Sequence, residues 1–200
     1  MVRTGAIGPL VFTSLAIMGS PGPATISLTA AGSAYGVRRS TGYLIGIIVG
    51  TTIVLVAVAT GITAALLAIP ALRIVLVGVS AVYLVWLAYH IATAPALGAA
   101  ESAGPRSPTF RGGALLGVAN PKAWVAIGAV FASVHLSSGA AADAIAKVVV
   151  LTAMIVAINA TWMLVGASLA PLLRQPRAAR VVNVSLAGAL VAATVVAVAH

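Results

Sequence analysis

Inside an apolar segment that opens near Gly5, the chain carries Met18-Gly19-Ser20-Pro21-Gly22-Pro23-Ala24-Thr25, a run that no continuous helix accommodates. Pro21 and Pro23 have no backbone N–H. The carbonyls of Ile17 and Gly19 therefore lose their helical donors, and Ser20 and Gly22 are driven out of the α region. In water such a break would be a loop. In hydrocarbon an unpaired carbonyl costs several kcal/mol, so non-helical backbone persists only where protein buries it or where it lines a polar cavity. A second break, Asn120-Pro121-Lys122, stands in the other half of the chain. Interruptions at corresponding places in two halves are the pattern expected of a transporter's binding site.

That the solvent is hydrocarbon follows from composition. The 200 residues are 62% hydrophobic and 6% charged, whereas a soluble domain carries about 25% charged residues. The expected class is an all-α integral membrane protein forming one bundle over 1–200, with no room for a soluble domain. With no cysteine, disulfides and thiolate metal sites are excluded, and no cofactor is expected. The net charge of +9 would suggest nucleic acid in a soluble protein. Here the basic residues fall in short loops, so they read as topogenic charge facing anionic lipid headgroups, and no nucleic-acid partner is expected.

Six spans are expected. The first runs from about Gly5 to Tyr35. Arg3 and Ile7 to Met18 have the outline of a signal peptide, but Pro21 and Pro23 fall where cleavage would, and apolar sequence resumes from Ala24 to Ala34. Gly36-Val37-Arg38-Arg39 reads as a basic loop. The second span, Tyr43 to about Ile69, is preceded and entered by a stripe of Gly42, Gly46 and Gly50 that lets a helix approach closely, within the bundle or across a homodimer. After Pro70 to Arg73, the third span covers about Ile74 to Ala92. Its Tyr83, Trp86 and Tyr89 read as interface and packing aromatics. Residues 94–111 form the long polar loop that divides repeat one (about 1–93) from repeat two (about 112–200). The fourth span begins near Gly112, the fifth covers about Val148 to Leu169, and the sixth runs from Val181. Asp143, Lys147 and Glu101 are expected in loops.

Ten residues into the fourth span, Lys122 is expected about 15 Å deep, near the midplane of a core about 30 Å thick. A lysine there costs about 2.5–3.5 kcal/mol and faces a cavity or a partner. The loops carrying Arg38, Arg39, Arg106, Arg111, Arg174, Arg177 and Arg180 are expected on the cytoplasmic side, with both termini outside. Two three-span blocks then have opposite orientations. Pro70-x-x-Arg73-Ile74-Val75 and Pro176-x-x-x-Arg180-Val181-Val182 open spans three and six alike, and Pro21 and Pro121 fall at matching depths in spans one and four. The expectation is an inverted repeat with helices 1 and 4 broken near the midplane.

These residues resemble a known family. The Pro21-Gly22-Pro23 break before a basic loop, Gly78 to Tyr83-Leu84, Arg111-x-Gly113 leading to Asn120-Pro121-Lys122-Ala123, and Trp162 are together similar to the LysE/RhtB amino-acid exporters, the threonine, homoserine and lysine exporter type. The resemblance covers nearly the whole chain. It implies a bacterial cytoplasmic (inner) membrane protein that exports amino acids or small derivatives. Many members have Asp or Asn where this chain has Ala24, and an acidic residue in span five where the nearest residue is Asn159. Export of basic amino acids would want an anionic partner that these spans lack.

From the residues themselves, the half-helix after Pro23 directs N–H groups and a positive dipole end into the bundle, and Lys122 adds a full positive charge. Together they suit a carboxylate. The carbonyls of Ile17, Gly19 and Gly117, with Ser20 and Asn120, suit an α-ammonium. The expected substrate-binding set is Ser20, Pro21, Gly22, Pro23, Thr25, Asn120, Pro121, Lys122 and Asn159, for an amino acid with a neutral side chain. Lys122 is the candidate for proton exchange, ahead of His90 and His135 near span ends. An enzyme is not expected, because no metal cluster, carboxylate pair or Ser/His arrangement is present to do chemistry. The alternatives are a non-transporting subunit of a larger complex and an exporter of another small ion or metabolite.

Overall fold

The computed structural model describes residues 4–61, 78, 82, 84–89, 91–93, 108–169, 171 and 175–199. Among them the chain is helical, with no strand. After a turn of 3-10 helix at Thr4–Ala6 come α1 (Ile7–Ile17), α2 (Pro23–Ala59), α3 (Phe110–Ala119), α4 (Pro121–Ser133), α5 (Ala140–Ser168) and α6 (Pro176–Ala199). Residues 84–89 are helical as well. Arg73, Tyr83, His90, Glu101 and Arg106 lie outside the described residues, as does most of the expected third span and of the loop over 94–111. The helices α2 and α5 are long and apolar enough to cross a membrane, and α3 with α4, bent by 57° at Asn120, qualifies if taken as one span.

The 37 residues of α2 are not a rod. In a straight helix Ser27 and Tyr43 would stand about 24 Å apart, yet the Tyr43 hydroxyl donates to Ser27 Oγ at 3.0 Å and Ser40 Oγ donates to the Ala31 carbonyl at 2.9 Å. The corner is Gly36, at φ 74° and ψ 170°, a conformation that a Cβ would strain. Two antiparallel arms result, over 23–35 and 37–59. Only Gly36 leaves the helix: Val37, Arg38 and Arg39, expected in a loop, form the exposed first turn of the second arm.

Glycines set how these arms meet the other helices. A Cβ on Gly46 would collide with the Phe110 carbonyl oxygen, one on Gly50 with that of Ala114, one on Gly113 with that of Tyr43, and one on Gly117 would come within 2.8 Å of Thr51 N. The 37–59 arm and α3 thus interlock backbone to backbone, the close approach that drives helix association where lipid removes the hydrophobic incentive. Gly42 faces open space and takes no part. On the other arm, Gly32 lies against the Met163 carbonyl of α5, Gly166 of α5 lies against the Thr29 carbonyl, and Thr29 Oγ1 donates to the Trp162 carbonyl at 3.2 Å.

Two apolar clusters fill the interior. One gathers Leu28, Tyr43, Ile47, Leu84, Leu87, Leu116 and Leu190; the other gathers Leu10, Val54, Leu55, Ile127, Val130, Leu136 and Leu151. Large apolar side chains also cover the exterior, among them Phe12, Ile53, Val125, Ile145, Val149 and Val181, while Ser14, Ser27, Ser33 and Ser40 are buried. Trp86 and Tyr89 are exposed too. Such a surface suits lipid rather than water.

Asp143 and Lys147, expected in a loop, are instead buried in the first turns of α5. Asp143 Oδ2 pairs with Lys147 Nζ at 2.8 Å, and its Oδ1 accepts from the backbone N–H groups of Leu136 (2.5 Å) and Ser137 (3.1 Å). Lys147 Nζ also donates to the Phe131 carbonyl at 2.7 Å and stands 4.7 Å over the Phe131 ring. The pair clamps the connection from α4 to α5.

Two outcomes are expected. Gly166→Val and Gly113→Val, which overpack backbone contacts at a cost of about 1–3 kcal/mol or more, lower the thermal midpoint of the purified protein, whereas Gly42→Val leaves it unchanged. Asp143→Asn strands the Lys147 charge and lowers the midpoint further than Asp143→Asn combined with Lys147→Met, because a lone buried charge is worse than none.

Candidate functional site

Between α1 and α2 the helix ends at Ile17, and it resumes at Pro23, which occupies the first helical position. Local chemistry rescues the carbonyls that the two prolines free. Ser20 Oγ donates to the Ile17 carbonyl at 2.8 Å, and the indole N–H of Trp162, reaching across from α5, donates to the Gly19 carbonyl at 3.1 Å. Thr25 Oγ1 closes a ring on Gly22, accepting from its N–H at 2.9 Å and donating to its carbonyl at 3.1 Å. Gly22 itself is extended, with φ −167°.

The second break follows the same rules. Asn120, at φ −69° and ψ 107°, caps α4: its Oδ1 accepts from Lys122 N at 3.1 Å, and Pro121 takes the first helical position. The Trp124 indole N–H donates to the Val118 carbonyl at 2.7 Å. The two breaks are tied together by one side chain. Lys122 Nζ donates to the Ser20 carbonyl, to Ser20 Oγ at 2.8 Å and to the Pro21 carbonyl at 3.0 Å. Gly22 makes room for it, since a Cβ there would stand 2.5 Å from Lys122 Cδ and 3.0 Å from Nζ.

Beside this tie lies a cavity of about 50 Å³, lined by Met18, Gly22, Ala24, Thr25, Thr51, Asn120, Lys122, Ala123, Ala126, Ile127, Ile155, Ile158 and Asn159, room for several waters or a small solute. Ala24 belongs to one apolar cluster and Ala123, Ile127 and Ile155 to the other, so the cavity opens at the seam between them. Lys122 is its one charged lining residue, and no carboxylate lines it among the described residues. Asn159 Nδ2 donates to the Ile155 carbonyl at 2.8 Å, leaving Oδ1 buried with no partner among the described residues.

Of the residues expected at a site, Gly22, Thr25, Asn120, Lys122 and Asn159 line this cavity; Ser20, Pro21, Pro23 and Pro121 shape the breaks beside it. The carbonyls of Ile17 and Gly19 and the Asn120 amide oxygen, expected to receive an α-ammonium, already have partners within the chain. His135, on the connection after α4, is exposed. Thr51 was not among the expected residues. Its signal is a polar side chain on the face of the second arm that carries the glycines, and only the packing of that arm shows it facing the break.

Over residues 15–200 the chain matches the model of the LysE type translocators. It belongs to that family. Members are transporters of the inner membrane, not enzymes. Among curated proteins, the cysteine/O-acetylserine efflux proteins of Salmonella choleraesuis and Salmonella typhimurium are each 36% identical to it over 118 residues. That stretch is 58% of this chain, which spans about half (52%) of the length of either relative. No solved structure matches.

The ties at the first break predict that Trp162→Phe, which strands the Gly19 carbonyl, destabilises the protein by about 1–3 kcal/mol in thermal or denaturant unfolding. Thr161→Val, on an exposed face of the same helix, serves as the neutral control.

Proposed function

We propose that this chain is a secondary transporter that exports amino acids, or small amino-acid derivatives, with neutral side chains from the bacterial cytoplasm. Family membership and the efflux relatives support the exporter class. The observation that carries the substrate reading is the cavity's charge: Lys122 supplies one cation, the first turn of α2 adds the positive end of a helix, and no carboxylate lines it among the described residues. A substrate carboxylate fits those groups, and a cationic side chain finds no counter-charge. Ala24, Ala126, Ile155 and Ile158 leave room for a short apolar or thiol-bearing side chain, and Thr51, Asn120 and Asn159 contribute polarity at the wall.

The proposed architecture is six spans in two inverted repeats, with the first and fourth broken near the midplane and both termini outside. The helix contacts support it. Exchanging the halves carries the second span against the fourth into the fifth against the first, and these are the two glycine-mediated pairings, Gly46 and Gly50 with Gly113 and Gly117, and Gly32 with Gly166. A site between the two breaks is where such a repeat places its substrate.

Efflux of a radiolabelled panel including cysteine, O-acetylserine, alanine, threonine, lysine and arginine, from cells with matched membrane levels of wild type and Lys122→Ala, tests the reading. Efflux of neutral members that falls at least tenfold in the variant, about 1.4 kcal/mol or more, is expected. Export confined to lysine and arginine would refute it.

A further inference from the structure

We propose that the three oxygens around the Lys122 ammonium, those of the Ser20 and Pro21 carbonyls and Ser20 Oγ, form the subsite for the substrate's own ammonium group, which Lys122 occupies until a zwitterion takes its place. The proposal rests on the exporter reading and adds the means by which the site recognises and responds to its cargo.

Three acceptors converging on one nitrogen match the three donors of a primary ammonium, and a substrate's α-ammonium presents the same three donors. Other oxygens of the two breaks are already engaged. The Ile17 and Gly19 carbonyls and Asn120 Oδ1 are bonded to groups on short or rigid side chains or to backbone. The cradle alone is filled by the tip of a flexible four-carbon stem that can withdraw. It is also reachable: Ser20 and Lys122 are half-buried, Pro21 is exposed, and the neighbouring Gly22 and Lys122 line the cavity.

Charge balance then decides which solutes enter. A zwitterion places its ammonium in the cradle and offers its carboxylate to the displaced Lys122, so every charge finds a partner. An amine without a carboxylate puts two cations side by side in a medium of low dielectric, which is strongly unfavourable. A carboxylate whose amine is blocked draws Lys122 away and leaves three oxygens unpaired. Partner exchange has a mechanical consequence as well. Lys122 is in the first turn of α4, and its bonds to Ser20 and Pro21 join that helix to the break between α1 and α2. Loading the substrate unties the two breaks, so occupancy and the freedom of the halves to move are linked.

The test uses purified full-length protein in lipid nanodiscs, with L-cysteine, cysteamine and N-acetyl-L-cysteine as probes under reducing conditions. The chain has two lysines, Lys122 and Lys147, and no cysteine, so Nζ-labelled lysine gives two NMR signals, with Lys147 as internal reference and no thiol of the protein to react. Cysteine is expected to shift the Lys122 signal and not that of Lys147, with cysteamine and N-acetylcysteine binding at least about tenfold more weakly. In Lys122→Met, where the cradle is vacant and the competing cation gone, cysteamine is expected to bind within about threefold of cysteine, a gain over wild type. A Lys122 signal unmoved by cysteine, N-acetylcysteine binding as well as cysteine to wild type, or undiminished rejection of cysteamine by Lys122→Met would each overturn the proposal. Reconstituted flux separates it from the exporter reading: partner exchange without transport sinks the exporter and leaves the subsite, while cysteine transport with an unmoved Lys122 signal does the reverse.

Discussion

An ammonium group bridging two helix breaks is the interaction on which the rest of this structure depends. Carbonyls of a non-helical segment and a half-buried lysine in the same apolar body are each costly alone. Lys122, carried on the first turn of α4, brings its donors to the Ser20 and Pro21 carbonyls and to Ser20 Oγ, and each feature solves the other's solvation problem. Because the bonds join segments about a hundred residues apart, they also fix how the two halves meet.

Bringing the breaks together requires helices that approach more closely than ordinary side chains allow. Gly46, Gly50, Gly113 and Gly117 supply this on one side and Gly32 and Gly166 on the other, so that backbone oxygens rest where a Cβ would otherwise stand. The hairpin at Gly36 sends the two arms of α2 to different partners, α3 and α5, and so sets Thr51 and Thr25 on walls of one cavity. Trp162 works in both layers: its backbone carbonyl receives Thr29, and its indole N–H holds the first break open at Gly19.

The electrostatics of the cavity follow from what is absent as much as from what is present. Family resemblance implies an acid or amide at the position of Ala24, and in this chain that position is a buried methyl group on the cavity wall beside Lys122. Asp143 is committed elsewhere, to Lys147 and the backbone of Leu136 and Ser137. Among the described residues Lys122 is therefore solvated by dipoles rather than by a counter-charge, a state that suits a cargo bringing its own carboxylate and its own ammonium.

The apolar helical class, helix ends beside Pro21, Pro23 and Pro121, and a lysine at one of them were legible in the sequence because each rests on a rule that needs no partner: hydrophobic runs imply a lipid solvent, proline removes donors wherever it stands, and a charge in such a run must be accommodated. The same local rules marked Gly22, Thr25, Asn120 and Asn159. They could not show that Ser20 and Trp162 would satisfy the Ile17 and Gly19 carbonyls, since the donor to Gly19 comes from a helix more than a hundred residues away. Nor could they place Asp143 and Lys147, whose charges read as loop residues until each is seen to neutralise the other in a buried turn. What the sequence by itself determined is the chemistry that must be resolved: carbonyls without donors, a cation without an anion, glycines without side chains. Only the tertiary structure decided which group resolves which at the breaks, because Lys122 reaches Ser20 and Pro21, and Trp162 reaches Gly19, across space from segments distant in the chain.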